Sequence, residues 1–181
     1  MHLNQDQVRG LQRIAVAPTN LDIGVDEVGL GAVAGPLVVC AAVFKKEWKH
    51  EKVKDSKAYS SHNARSKVVK EIIFPNCRYY NLDIVPHTDI DAIGMEHAVR
   101  DAIRRASIAC IAKCPGAVLA VDGDHFPLIP WCSDIVAIPK GDALVPAISA
   151  ASVIAKTTRD ALMITESSIY PGYGFDKHKG Y

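Results

Sequence analysis

The chain has 181 residues, 49% of them apolar, and a formal charge of +1. That length holds one domain with a sizeable core and excludes two full ones, so residues 1–181 read as a single domain. The charge excludes neither a nucleic acid nor a small molecule as ligand, because its distribution matters more than its sum. Locally, residues 45–57 carry six lysines against three acids. An odd count of five cysteines and a polar start, residues 1–13, without an apolar core point to a reducing, cytoplasmic setting. The longest apolar run, residues 32–44, contains Gly35 and Pro36 and falls short of a bilayer span, so no membrane partner is expected.

In chain order, residues 21–26 and 36–44 are rich in Val, Ile and Ala and read as buried strands joined by a tight glycine turn. After the charged connection at 45–57, Ser60 is a helix start. Ala64, Val68, Ile72 and Ile73 follow at helical spacing, and Pro75 closes the helix. Residues 77–85 form a third strand. Thr88 or Asp89 can cap one long helix over about 90–114 with Ile93, Ala98, Ala102, Ile103, Ala106, Ala109 and Cys110 on its apolar face. Short strands at 117–121 and 135–138 stop at Asp122 and at Lys140-Gly141-Asp142. Pro146 opens a helix to about Thr165 on which Ser149, Ser152, Lys156 and Arg159 form one polar stripe; residues 170–181 read as a loop.

Strands alternating with helices predict an α/β layer structure with functional residues at strand ends. Asp26, Glu27, Asp122 and Asp142 all take such positions. Alone, each reads equally well as a cap, a turn or a helix approach, and the stripe as a solvated face. Together, four acids converging on one spot repel one another unless a cation compensates them, and an all-carboxylate set suits Mg²⁺ or Mn²⁺ rather than Zn²⁺. Two such ions about 4 Å apart can activate a water and stabilise the leaving oxygen in phosphodiester cleavage. Other chemistries fit worse. Cys110 and Cys114 lack a second pair or paired histidines, Gly29-x-Gly31 lacks the third glycine of a dinucleotide loop, and Ser149 and Ser152 lack a spaced histidine.

The stretch Gly24-Val25-Asp26-Glu27-Val28-Gly29-Leu30-Gly31 with Ala34-Gly35-Pro36 resembles the opening motif of the type 2 ribonucleases H. The likeness continues through Asp55-Ser56-Lys57, Val121-Asp122-Gly123, Lys140-Gly141-Asp142, Ile148 to Lys156 with Arg159-Asp160, and Tyr173-Gly174-Phe175 with His178-Lys179-Gly180-Tyr181. Within that family it is closest to ribonuclease HII. The resemblance implies a ribonuclease H-like fold, with a mixed central sheet flanked by helices. It also implies endonucleolytic cleavage of the RNA strand of RNA/DNA hybrids, ribonucleotides embedded in DNA included, leaving 5′-phosphate and 3′-hydroxyl ends. Asp26, Glu27, Asp122 and Asp142 become the catalytic and metal-binding carboxylates of a two-metal site. Gly29, Leu30, Gly31 and Tyr181 become the residues that read the ribonucleotide, and Lys57, Lys156 and Arg159 contacts to phosphate. A monomer is expected.

Three departures stand out. Leu30 replaces the family's usual arginine, Ala58-Tyr59 replaces its Lys-Leu, and family members continue past the position of Tyr181. The first implies weaker discrimination for a single embedded ribonucleotide. The last leaves a hybrid-binding module of weak activity as the alternative reading.

Overall fold

A computed structural model describes residues 20–53, 59–124, 129, 132 and 135–181. Five strands form one sheet: β1 (Leu21–Val28), β2 (Leu37–Lys45), β3 (Tyr79–Val85), β4 (Val118–Asp122) and β5 (Ile135–Ile138), in the order β3-β2-β1-β4-β5. β1 pairs with β2, and β2 with β3, antiparallel; β4 lies parallel to both β1 and β5. The sheet is therefore mixed. Leu37 to Phe44 are all buried, which explains why β2 reads as an unbroken apolar run: both of its faces are covered.

The helices are α1 (His62–Val68, continued by a π-turn at Val69–Ile73 and a last turn at Phe74–Asn76), α2 (His87–Ile93), α3 (Met95–Lys113), α4 (Gly141–Leu144), α5 (Pro146–Ile169) and α6 (Phe175–His178). Strand alternation divides the core. Val39, Ala41, Val43, Ile23, Val25, Leu119 and Val121 pack with Ala98, Ala102, Ile103 and Ala106 of α3. Val38, Cys40, Ala42 and Phe44 pack with Ala147, Ala150, Ala151 and Ile154 of α5 and with Val69 and Ile73 beside α1. The first turn of α5 lies directly on β1, because a β carbon at Gly24 would stand 2.1 Å from the Ala147 carbonyl carbon.

Several elements differ from the sequence expectation. Ser61, not Ser60, caps α1, accepting the Ala64 N–H at 3.2 Å. Pro75 sits inside the final turn, Phe74–Asn76, rather than closing the helix before it. The single long helix is two, broken at Gly94 with φ +81, which leaves Ile93 exposed. β1 and β2 are joined not by a tight turn but by residues 29–36, with Gly29 and Gly35 at φ +116 and +91. Residues 170–181 are not a plain loop: they hold a 3₁₀ turn at Pro171–Tyr173 and α6.

Candidate active site

The acids meet because β1 and β4 run side by side. Val25 pairs with Val121, so Asp26 and Asp122 follow as neighbours on the face covered by α5. Asp122 pairs with Ile138 at the end of β5, and Asp142 lies just beyond in α4. Asp122 Oδ1 accepts the Gly141 N–H at 2.6 Å and the Asp142 N–H at 3.3 Å. That approach needs the left-handed turn at Lys140, φ +59, and no side chain at Gly141, where a β carbon would stand 2.6 Å from Ile148 Cδ1.

Helix α5 secures two of the acids from beneath. Ser152 hydrogen-bonds the Asp26 side chain, and the Ser149 hydroxyl donates to the Asp142 carbonyl. The Glu27 N–H also donates to Asp26 Oδ1 at 2.8 Å. Both serines are buried. The stripe seen in the sequence is thus an inward face, not a solvated one, and these supporting roles had no signal beyond its spacing.

Charge is uncomfortable here. Burial first, and then the neighbouring Glu27, push the Asp26 carboxyl well above the usual range, with Ser152 opposing them. Burial and then Asp122 raise Glu27 to about 7. Glu27 Oε2 is buried without a hydrogen-bond partner. An all-oxygen donor set with an orphaned buried carboxylate oxygen fits a hard divalent cation in donor type and charge. Among the described residues, no three acidic, histidine or cysteine side chains already form a cage able to hold one ion.

Of the other predicted site residues, Lys156 and Tyr181 lie together. Lys156 Nζ lies 2.9 Å from Asp160 Oδ1 and 5.0 Å from the centre of the Tyr181 ring. Leu30 is 39% exposed, and space around Gly31 is open. Lys57, with the rest of its motif, lies outside the described residues. Arg159 requires a correction: its side chain is fully buried and its guanidinium donates to the carbonyls of Pro36, Lys179 and Ala34, so it has no surface to offer a phosphate. Arg65 and Asp160, which form a buried ion pair between α1 and α5, also lay outside the predicted site.

A mixed five-stranded sheet, helices on both faces and acids at the ends of adjacent strands define a ribonuclease H-like protein. Known structures agree. Ribonuclease H2 from Pyrococcus horikoshii OT3 superposes with a TM-score of 0.73 at 27% identity, covering 89% of this chain and 80% of that one. Bst-RNase HIII in complex with Mn²⁺ superposes with a TM-score of 0.68 at 19% identity over 84% and 56%, a likeness of fold alone.

At the level of sequence, the Ribonuclease HII family model matches residues 23–181, and the chain belongs to that family. It is 42% identical over 175 residues to ribonuclease HII of Mycobacterium leprae, covering 94% of this chain and 68% of that protein. The protein of the same name in Clostridioides difficile is 40% identical over 158 residues, covering 87% and 60%. The chain thus spans between three fifths and about two thirds of these two relatives.

Proposed function

We propose that this chain carries out the reaction of its family, hydrolysing the RNA strand of RNA/DNA hybrids internally with the aid of divalent cations. The observation that carries the reading is the meeting of Asp26, Glu27, Asp122 and Asp142 where β1, β4 and β5 end, with the Glu27 carboxyl raised to about 7 by burial first and then by Asp122. In the reaction a water oxygen bonds to phosphorus, the bond from phosphorus to the 3′ oxygen breaks, and that oxygen takes up a proton. The products are a 3′-hydroxyl and a 5′-phosphate. When bound, Mg²⁺ or Mn²⁺, as a pair, supplies Lewis acidity and neutralises charge on the phosphate.

The chain's own residues do the rest. Ser152 and the Glu27 amide orient Asp26, and the Gly141 and Asp142 amides orient Asp122, so these two carboxylates are fixed before substrate arrives. Lys156, tethered by Asp160 beside Tyr181, supplies positive charge for a phosphate. The open backbone at Gly31, next to Gly29, lets a ribose approach closely enough for its 2′-hydroxyl to be read. Leu30 offers no side-chain hydrogen bond, which supports weaker preference for a single embedded ribonucleotide than for long hybrids. Cleavage of the two substrates side by side decides that point, and a strong single-ribonucleotide preference contradicts it.

The reading takes the chain as a monomer acting in the cytoplasm. The free thiols of Cys40, Cys77, Cys110 and Cys114 support a reducing compartment. No described helix is long and apolar enough to cross a membrane.

Asp122→Asn is the direct test. Asparagine keeps an Oδ1 to accept the Gly141 and Asp142 amides but loses the charge, so the fold persists while turnover falls by about 10³ or more, as when a group acting in the transition state is removed. Unchanged turnover contradicts the assignment. Salt-sensitive hybrid binding by the unaltered chain without product under any divalent ion would favour the hybrid-binding module instead.

A further inference from the structure

Among the described residues, Arg159 is the largest side chain that the fold buries completely. A buried guanidinium is ordinarily matched by a carboxylate. Here the nearest one in sequence, Asp160, is engaged by Arg65 and Lys156. Arg159 instead spreads its planar fork over three backbone carbonyls. Nε donates to Pro36 and Nη1 to Lys179, each at 2.8 Å, and Nη2 donates to Ala34 at 2.9 Å.

Those carbonyls belong to two segments far apart in sequence. Ala34 and Pro36 lie at the end of the 29–36 connection, whose beginning is the Gly29-Leu30-Gly31 turn. Lys179 lies two residues before Tyr181. The segments also touch directly, since the Val33 N–H donates to the Gly180 carbonyl at 2.9 Å. A β carbon at Gly180 would stand 2.3 Å from the Ala34 oxygen, and one at Gly29 would stand 2.9 Å from Arg159 Nε. Tyr181 lies over the same guanidinium, its ring centre 5.1 Å from Cζ. Remove the fork and both segments lose their common anchor, while the acids keep theirs in Ser152, Gly141 and Asp142.

We infer that Arg159 is a positioning residue that holds the glycine turn and the Tyr181 segment together as one substrate-facing unit, acting on substrate binding rather than on the hydrolytic step. The inference rests on the reading of Gly29, Leu30, Gly31 and Tyr181 as substrate contacts. Lysine is a poor substitute, because one compact ammonium cannot serve three carbonyls arranged around a planar fork.

The test compares the unaltered chain with Arg159→Met, Arg159→Lys and Gly180→Ala, using steady-state cleavage of a labelled hybrid with Mn²⁺ and hydrogen exchange at the Val33 amide. Gly180→Ala pushes the two segments apart at the Ala34 carbonyl that Arg159 holds, with the Arg159 side chain itself and the sheet unaltered, so it tests the coupling even if Arg159→Met fails to fold. The expected result is a KM raised about tenfold in Arg159→Met and Gly180→Ala with a smaller change in kcat, the pattern of lost binding. Arg159→Lys recovers only part of the loss. Val33 exchange quickens by about tenfold or more in the same variants as its hydrogen bond opens, while the β2 amides keep their protection. A fall in kcat with KM and Val33 exchange unchanged overturns the inference, as does a Gly180→Ala protein that matches the unaltered chain in both. If the unaltered chain cleaves nothing, the functional reading fails, and Val33 exchange alone still decides whether Arg159 couples the two segments.

Discussion

Glu27 carries the clearest physical signature of the site. Its carboxyl is raised from 4.5 to about 7, first by burial and then by Asp122, so the folded chain holds a proton that the unfolded chain releases at lower pH. Stability from this group is fully present below pH 4.5 and is lost as pH rises through about 7. For the metal-free protein the loss is on the order of 3 kcal/mol from this residue. Thermal melts in EDTA should therefore show the melting temperature falling between pH 5 and 8, and Glu27→Gln should flatten that fall. Adding Mg²⁺ or Mn²⁺ should raise it more at pH 8 than at pH 5, because the ion binds the ionised form. A metal-free melting temperature that rises across this range contradicts the argument. Arg159 teaches the complementary lesson: its charge matched a phosphate contact in the sequence, but burial turned it inward to three carbonyls.

At the scale of elements, α5 joins the core to the chemistry. Ala147, Ala150, Ala151 and Ile154 pack on the sheet, while Ser149 and Ser152 reach the acids. The spacing of Ser149, Ser152, Lys156 and Arg159 was legible as one stripe; that it faces inward was not, because a polar stripe at helical period is identical on either side of a helix. Gly24 sets the seating of that helix on β1. Gly24→Ala would place a methyl group 2.1 Å from the Ala147 backbone, where no flexible side chain can yield. Destabilisation of about 3 kcal/mol or more is expected by denaturant titration, above the usual range for overpacking because the clash is with main chain. Activity should fall beyond what the unfolded fraction explains, since Ser149 and Ser152 move with the helix. The break at Gly94 was less legible. The apolar period runs through it, and only the positive φ that glycine permits splits α2 from α3.

At the scale of the molecule, a formal charge of +1 leaves hybrid binding to where the cations lie rather than to their sum. With Arg159 internal, two of the three expected phosphate contacts remain, Lys57 and Lys156. The logarithm of hybrid affinity against that of salt should fall with a slope of about −2, measured with the inactive Asp122→Asn protein between 50 and 200 mM salt as rough limits. A slope beyond about −5 would mean that a larger cationic surface is engaged.

The α/β class, the strand-end acids and the ordered motifs of the type 2 ribonucleases H could be read from the chain alone, because period, composition and spacing are local properties. Which acids stand side by side could not. Asp26 and Asp122 are almost a hundred residues apart and meet only because β4 adds to β1 in parallel register. Burial, and with it the raised carboxyl of Glu27 and the inward turn of Arg159, likewise belongs to the packed structure: desolvation depends on what the rest of the chain lays over a residue, not on the residue itself.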